Sequence, residues 1–347
     1  MEPIRFAVIG AGNIGKVHLQ AIESIAEARA TVVCNRTRAS GRALAGEFGI
    51  DWEADYNVAV RRADVDVVAI CTPSGTHLEI AVAAAQAGKH ILAEKPLDIT
   101  LERVDGIIEA ARAADVKLAC IFPRRFALGA RTAKDAVAAG RLGRLTLADA
   151  YVKWHRPQEY YDVGWRGTWE LDGGGALMNQ SIHYIDLLQW LAGPVESVYG
   201  RTATRTHEME TEDTATAVVC FQNGAMGAIQ GATSCWPGDE ARVEVRGEKG
   251  VIALEEGRIV RWEMADAEAG EEERMLRLES ALGSGAADPT AIGFDLHRRQ
   301  IVDLIEAIRD DRPPTVAGAE GRHAVEIIRA IYRSAELGAP VSLPLEL

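Results

Sequence analysis

The sequence predicts an α/β chain of two domains. A doubly wound parallel sheet is expected over residues 1–123. An α+β domain on a large, mostly antiparallel sheet is expected over residues 124–347. Three observations predict this. An apolar run at residues 4–9 leads into Gly10-Ala11-Gly12-Asn13-Ile14-Gly15 and then into a helical pattern from residue 13 to about 27. Strand-like and helix-like segments keep alternating as far as residue 122, which implies right-handed crossovers and a parallel sheet. From residue 195 onward, short runs are separated by turn residues such as Gln222-Asn223-Gly224 and Glu248-Lys249-Gly250, a pattern of antiparallel sheet.

The glycine turn carries the first chemistry. Strand, glycine turn, helix is the context in which G-x-G-x-x-G denotes a dinucleotide site, the Rossmann arrangement. Gly10 permits the tight turn, Gly12 lets a pyrophosphate approach the backbone, and Gly15 lets the helix lie close to the strand. The N–H groups at the helix start, around Asn13 and Ile14, then face the phosphates. The plainer alternative is a glycine turn that only shapes the backbone.

Residues 30–35 read as a second strand, and residues 38–48 as a helix stopped by Gly49. Asp55 is placed to cap a short helix through residue 62. Residues 65–71 form a third strand and end in the turn Thr72-Pro73-Ser74-Gly75. Thr76 is placed to cap an alanine-rich helix to residue 87, which Gly88 closes. Strands at 90–94 and 117–122 bracket a helix at 100–114. A sheet of this kind binds ligands beyond the carboxyl ends of its strands, and the polar punctuation falls there.

After the second strand stand Asn35-Arg36-Thr37, where an NAD site usually carries an acid for the ribose 2′-OH. Asn35 has no charge to repel a 2′-phosphate, and Arg36 is suited to pair with one, so the charges lean to NADP over NAD. An Arg36 stacked on the adenine admits either cofactor. After the third strand, Thr72, Pro73, Ser74 and His77 form a second wall of the expected cofactor cleft. A structural hydrogen bond is the alternative role for His77. After the fourth comes Glu94-Lys95-Pro96. The proline holds Lys95 toward extended geometry, making it a fixed donor near the nicotinamide.

In the second half, residues 123–139 read as a helix and residues 145–154 as a strand. Lys153, Trp154, His155, Arg156, Tyr160, Tyr161, Trp165, Arg166 and Trp169 then gather in one stretch. Aromatic faces interspersed with cations suit a polyhydroxylated or anionic small ligand. The alternative is a loop packed on the protein's own core. Asp172-Gly173-Gly174-Gly175 follows, and its glycines are expected to let backbone approach a ligand. The next helix sets Asn179, His183 and Asp186 at i, i+4 and i+7 on one face, with Ile182, Ile185 and Leu188 on another. Asn179 and His183 point to a catalytic or substrate-binding role. No metal is expected there, because an amide is a poor ligand for a transition metal and neither a cysteine nor a second histidine accompanies it.

Strands follow at 195–205, 214–221, 225–234, 241–246, 251–254 and 258–263. A small-residue loop at 283–288 is expected to border the site. Amphipathic helices are expected at 294–308 and 319–337, with His297 a neighbour of the substrate.

Composition narrows the field. The net charge of −13 argues against a nucleic-acid binder. No apolar run approaches a membrane span. The start, Met1-Glu2-Pro3-Ile4-Arg5, lacks a signal-peptide pattern, so a cytoplasmic location is expected. Cys34, Cys71, Cys120, Cys220 and Cys235 form no C-x-x-C pair. They read as free thiols in a reducing compartment rather than as a zinc site.

Four motifs taken together resemble the Gfo/Idh/MocA oxidoreductases, named for glucose–fructose oxidoreductase and inositol dehydrogenase. They are the glycine turn, Cys71-Thr72-Pro73 with His77, Ala87-Gly88-Lys89-His90, and Glu94-Lys95-Pro96. The resemblance covers nearly the whole chain. The glycine triplet before Asn179 and His183 resembles the family's acid-x-x-x-His pair, with Asn179 in place of the acid. This stretch also resembles the branch that includes UDP-N-acetylglucosaminuronate dehydrogenases. Trp165 and Arg166 resemble the family's Trp-Arg pair beside the nicotinamide.

The resemblance implies hydride transfer between a nicotinamide cofactor and a secondary alcohol or ketone of a sugar, cyclitol or sugar derivative. It also implies a homodimer or homotetramer with the antiparallel sheet at the subunit interface. Lys95 and His183 would manage the hydroxyl proton. His183 is favoured as immediate acid/base because Asn179 cannot ionise, with Lys95 polarising the oxygen; the reverse assignment stays open. Arg124, Lys153, Arg156, Trp165 and Asn179 join them as expected substrate contacts, and Glu94, Trp165 and Arg166 as cofactor contacts. Two other readings are a non-catalytic dinucleotide-binding sensor and a reductase of a small non-sugar carbonyl, imine or dihydrodiol.

Overall fold

The computed structural model describes residues 2–278 and 293–346. The chain divides into two compact units, Met1–Pro123 with Gly293–Arg322, and Arg124–Ile292 with His323–Leu347. The expected loop at 283–288 lies outside the described residues.

The first unit alternates strand and helix: β1 (Ile4–Ile9), α1 (Asn13–Glu23), β2 (Ala28–Cys34), α2 (Arg38–Phe48), β3 (Asp51–Glu53), α3 (Tyr56–Ala59), β4 (Val67–Ile70), α4 (His77–Gln86), β5 (His90–Ala93), α5 (Leu101–Ala113) and β6 (Leu118–Cys120). Every strand pairing is parallel, in the order β3-β2-β1-β4-β5-β6. The order turns back between β1 and β4, which is where a doubly wound sheet binds its ligand. β4 and β5 are buried along their whole length apart from His90 at the entry, as a strand covered on both faces must be. Thr100 accepts a hydrogen bond from the Arg103 N–H and so starts α5, while Asp55 does the same from Asn57 for α3. Thr76 does not cap α4. Its hydroxyl donates to the Pro73 carbonyl and contacts the Thr72 hydroxyl instead. β3 has only three residues and no apolar run, so nothing in the sequence marked it.

The second unit holds α6 (Leu128–Ala138), β7 (Leu145–Lys153), α7 (Ile182–Ala192), β8 (Val195–Ala203), β9 (Thr214–Phe221), β10 (Met226–Ala232), β11 (Arg242–Gly247), β12 (Gly250–Glu255), β13 (Arg258–Met264) and α8 (Glu271–Leu276). After the first unit's α9 (Asp295–Arg309), α10 (Gly318–Leu337) runs from one unit into the other, and β14 (Val341–Ser342) completes the second sheet. That sheet runs β13-β12-β11-β7-β10-β9-β8-β14 and is antiparallel except at the β10–β7 pair. Alternation along β7 buries Ala148, Ala150 and Val152 on the face that α7 covers. Three small side chains there leave room for a helix packed closely over the strand.

The expected division at residue 124 assigned everything beyond it to one domain, but α9 and the start of α10 belong to the first unit. Ile301, Leu304 and Ile305 of α9 share a buried core with Leu19 and Ile22 of α1 and with Phe6 and Val8 of β1. Each such side chain fully buried contributes about 1.5–3 kcal/mol. Amphipathic periodicity shows that α9 has an apolar face, not which core that face joins.

One charged pair anchors α7. Arg125 donates from Nε and Nη2 to the two Asp186 carboxylate oxygens at 2.8 and 2.6 Å, with both side chains buried. Removing one partner leaves the other charge buried and uncompensated. Asp186→Asn is therefore expected to lower unfolding stability by about 3–5 kcal/mol in urea titration. A loss under about 1 kcal/mol would show that the pair does not anchor the helix.

Candidate active site

In the first unit the predicted cofactor residues sit at the carboxyl ends of β1, β2, β4 and β5. Gly10 has φ +117°, and a Cβ there would overlap the Cys71 carbonyl. A Cβ at Gly15 would overlap the Gly10 carbonyl, so helix and turn touch through bare backbone. At Gly12, by contrast, nothing in the protein lies within 4 Å of where a Cβ would stand. The protein's own packing explains the first and third glycines; the open space explains the second. α1 starts with no acidic residue in its first turn and no side-chain cap. Open space over Gly12 beside uncapped N–H groups at Asn13 and Ile14 fits a pyrophosphate.

At the end of β2, Asn35 Nδ2 donates to the Thr37 carbonyl at 3.1 Å and to Ser40 Oγ at 2.8 Å. A carbonyl only accepts, so the amide orientation is set, and Oδ1 is the acceptor that Asn35 offers. Arg36 and Thr37 are exposed. At the end of β4, Thr72, Pro73 and Ser74 form the expected turn. His77 departs from its role as a cofactor wall. It is fully buried, its Nδ1 is 3.1 and 3.2 Å from the Pro96 and Leu97 carbonyls, and its Nε2 is 3.0 Å from the Thr72 carbonyl. It ties the β4 loop to the β5 loop.

At the end of β5, Glu94 is buried and Lys95 half-buried. Glu94 Oε1 accepts from His18 Nε2 at 2.8 Å, and Oε2 accepts from the Lys95 backbone N–H at 3.2 Å. Burial pushes the Glu94 carboxyl up, but His18, His297 and Lys95 together hold it below its usual range. Burial likewise opposes charge on His18, and contact with Cys71 and Glu94 outweighs it, so the His18 pKa is raised. His297, expected beside the substrate, instead stands 3.9 Å from Glu94 Oε1 in the first unit.

In the second unit, Arg166 stacks 3.9 Å over the Tyr160 ring and 5.1 Å from that of Trp165. Arg156 lies 5.4 Å from the Tyr160 ring and 5.1 Å from that of Trp154. Trp165 and Arg166 are half-buried, whereas Arg156 is buried. The loop thus gathers its cations around Tyr160, whose hydroxyl accepts from Gln180 Nε2 at 3.1 Å. The aromatics and cations of this loop pack against one another and, through Tyr160, against Gln180.

Two further residues expected at the substrate have neighbours within the second unit. Lys153 follows the alternation of β7 to the face opposite α7, with its ammonium 5.5 Å from the Tyr151 ring. Arg124 is drawn into a buried ion pair with Glu256, whose carboxylate also accepts from the Tyr184 hydroxyl at 2.6 Å.

The glycine triplet serves the protein itself. A Cβ at Gly174 would overlap the Tyr332 hydroxyl, and one at Gly175 the Glu212 carbonyl. Glu212 accepts from the N–H groups of Gly175 and Leu177 at 3.0 and 2.8 Å and from the Tyr332 hydroxyl at 3.0 Å. Burial pushes its carboxyl up to about 7 against those donors. Residues 176–181 form a π-helical turn, and α7 begins only at Ile182. Asn179 therefore lies in that turn, ahead of the α-helix that carries His183 and Asp186. The wider turn breaks the 3.6-residue period, and Asp186 turns to Arg125. Asn179 and His183 are both half-buried.

Sequence reading missed Asp172. This buried carboxylate accepts from Asn179 Nδ2 at 2.7 Å and from the Gly167 N–H at 2.9 Å. The amide of Asn179 thus donates to Asp172, and its Oδ1 accepts from Gln180 Nε2 at 3.4 Å. An acid at residue 179 would face Asp172 across a hydrogen-bond distance. In Asn179→Asp the two carboxyls can share one proton at low pH, but the second proton leaves only at a raised pKa. The folded form then holds more protons than the unfolded, so stability falls as pH rises. Asn179→Asp is expected to match the wild type near pH 4 and to lose about 2 kcal/mol by pH 8 in urea titration. Equal stability at both pH values would refute the pairing.

Comparison with known proteins agrees with this geometry. A model of the oxidoreductase family with an NAD-binding Rossmann fold matches residues 4–122, and one of the GFO/IDH/MocA C-terminal domain matches residues 130–253. The solved WlbA dehydrogenase from Bordetella pertussis, in complex with NADH and UDP-GlcNAcA, is 34% identical, with a TM-score of 0.91 over 99% of each chain. Inositol 2-dehydrogenase of Rhizobium meliloti (strain 1021) is 28% identical over 95% of this chain and 96% of its own. Levoglucosan dehydrogenase of Pseudarthrobacter phenanthrenivorans is 25% identical over 99% of both. The chain belongs to the GFO/IDH/MocA family of NAD-binding oxidoreductases.

Proposed function

We propose that this enzyme oxidises a secondary alcohol of an anionic sugar derivative with NAD, and that Lys95 and His183 handle the hydroxyl proton. The observation that carries the reading is the placement of Lys95. It stands at the carboxyl end of β5, at the same end of the parallel sheet as the glycine turn after β1. Bound nicotinamide supplies the hydride acceptor. Gly10, Gly12, Asn13, Ile14 and Gly15 would hold the pyrophosphate, and Thr72, Pro73 and Ser74 would line the next strand end. His183 takes the hydroxyl proton on its imidazole, and the Lys95 ammonium stabilises the developing alkoxide. Asn179 accepts from a substrate hydroxyl through Oδ1. A regulator that only senses the dinucleotide has no use for Lys95 and His183 together.

The NAD preference replaces the lean to NADP. Asn35 spends both donor bonds on Thr37 and Ser40, so it offers an acceptor, which suits a ribose hydroxyl and not a phosphate. The NADH in the WlbA complex supports the same choice. Arg156 and Arg166 around Tyr160, with the UDP-GlcNAcA of that complex, support an anionic sugar. Among the described residues no helix is long and apolar enough to cross a membrane. The cysteines form no disulfide among those residues, which supports a reducing cytoplasm.

The uncovered face of the antiparallel sheet supports self-association. Leu147, Val218 and Met226 are 43%, 54% and 54% exposed there, and Leu147 and Met226 are direct neighbours across the β7–β10 pair. A second copy would cover this apolar face. The double variant Val218→Lys, Met226→Lys is expected to elute as a monomer in size-exclusion chromatography with light scattering. An unchanged assembly would place the interface elsewhere.

Turnover is read as NADH absorbance with UDP-GlcNAcA, UDP-GlcNAc, myo-inositol and levoglucosan. The uronic acid is expected to outperform its neutral counterpart, and NAD to outperform NADP in kcat/KM. Lys95→Ala and His183→Ala should each lower kcat by at least about 100-fold. Near wild-type turnover by Lys95→Ala would remove the lysine from the mechanism.

A further inference from the structure

Two buried histidines of the first unit have no part in the reaction as assigned. His18 on α1 and His297 on α9 come from opposite ends of the chain and meet at Glu94. His18 Nε2 is 2.8 Å from Glu94 Oε1, His297 Nε2 is 3.9 Å from the same oxygen, and the two rings stand edge to face with centroids 5.5 Å apart. A direct hydrogen bond joins His18 to Glu94, with the His297 ring beside the pair. Tetrahedral ligands at about 2.0–2.2 Å from a shared zinc stand about 3.3 Å apart, farther than the direct His18–Glu94 bond.

Burying an ionised carboxylate costs several kcal/mol unless it is paired, and an apolar side chain fills the same volume at less cost. A carboxylate here does two things that packing does not. Its Oε2 accepts from the Lys95 N–H and so holds the peptide plane from which the lysine projects. It also sets a negative charge beside that lysine.

We propose that His18 and His297 are positioning residues for Lys95, acting through the Glu94 carboxylate that they hold. The proposal rests on the role given to Lys95 above. The titratable groups facing Glu94 are His18 from α1, His297 from α9 and Lys95 on its own segment; Cys71, just beyond β4, adjoins it through His18. Burial pushes the Cys71 thiol up, against the opposing pull of His18.

The test reads Lys95 directly. Reductive methylation with 13C-formaldehyde labels the chain's seven lysines, and Lys95→Arg identifies the Lys95 resonance. Glu94→Gln is expected to lower the midpoint of its titration by about one pH unit, the scale of one lost neighbouring charge. His18→Asn and His297→Asn should each move that midpoint in the wild-type background and leave it unmoved in the Glu94→Gln background. An unmoved midpoint in both histidine variants, or an equal shift with and without the Glu94 carboxylate, overturns the proposal. Circular dichroism identifies the variants that fold, and His18→Gln and His297→Gln, which keep a donor, replace any that do not. The readout needs no turnover. If the network behaves as stated while Lys95→Ala keeps full turnover, the catalytic assignment fails and the positioning network stands.

Discussion

An ionised carboxylate under the carboxyl end of a parallel sheet is the constraint on which the first unit turns. Glu94 is removed from water, so it needs a cation and further donors to remain charged. His18 supplies the cation from the first helix, His297 adds a second imidazole from α9, and the Lys95 backbone supplies an N–H. One requirement thereby links the helix that begins at the glycine turn, the strand that ends at Lys95, and a helix late in the chain. α9 belongs to the first unit for two reasons, since its apolar stripe joins the core and its histidine reaches the buried acid.

The second unit solves a similar problem with different residues. Asp186 is neutralised by Arg125, Glu256 by Arg124, and Asp172 holds the amide of Asn179. Glu212 relies on donors without a cation, and its carboxyl is the one pushed well up by burial. These acids do not touch solvent freely. Each fixes a backbone turn or a side chain of the second unit.

The parts legible in the sequence were those set by local physics. The glycine turn lay between a strand and a helix, so its meaning followed from three adjacent elements. Glu94-Lys95-Pro96 followed a short apolar strand, and its place at the sheet's carboxyl end followed from parallel topology alone. The illegible parts depended on partners distant in the chain. Asp172 was visible as a residue, but three glycines and a π-helical turn separate it from Asn179, and no period predicts that they meet. Lys153 was placed by parity on β7, which puts it on the face of the sheet opposite α7. Arg124 and His77 had the right chemistry for a ligand, but buried acceptors from the protein itself were already in reach.

The late return of α9 also bears on synthesis. The six strands of the first sheet are complete by Cys120, yet Ile301, Leu304 and Ile305, which cover Leu19 and Ile22, lie far downstream. A nascent chain must hold that apolar patch uncovered while seven of the eight strands of the second sheet emerge from the ribosome. Vectorial folding therefore cannot finish the N-terminal unit first, and it leaves a transient sticky surface for chaperones to shield.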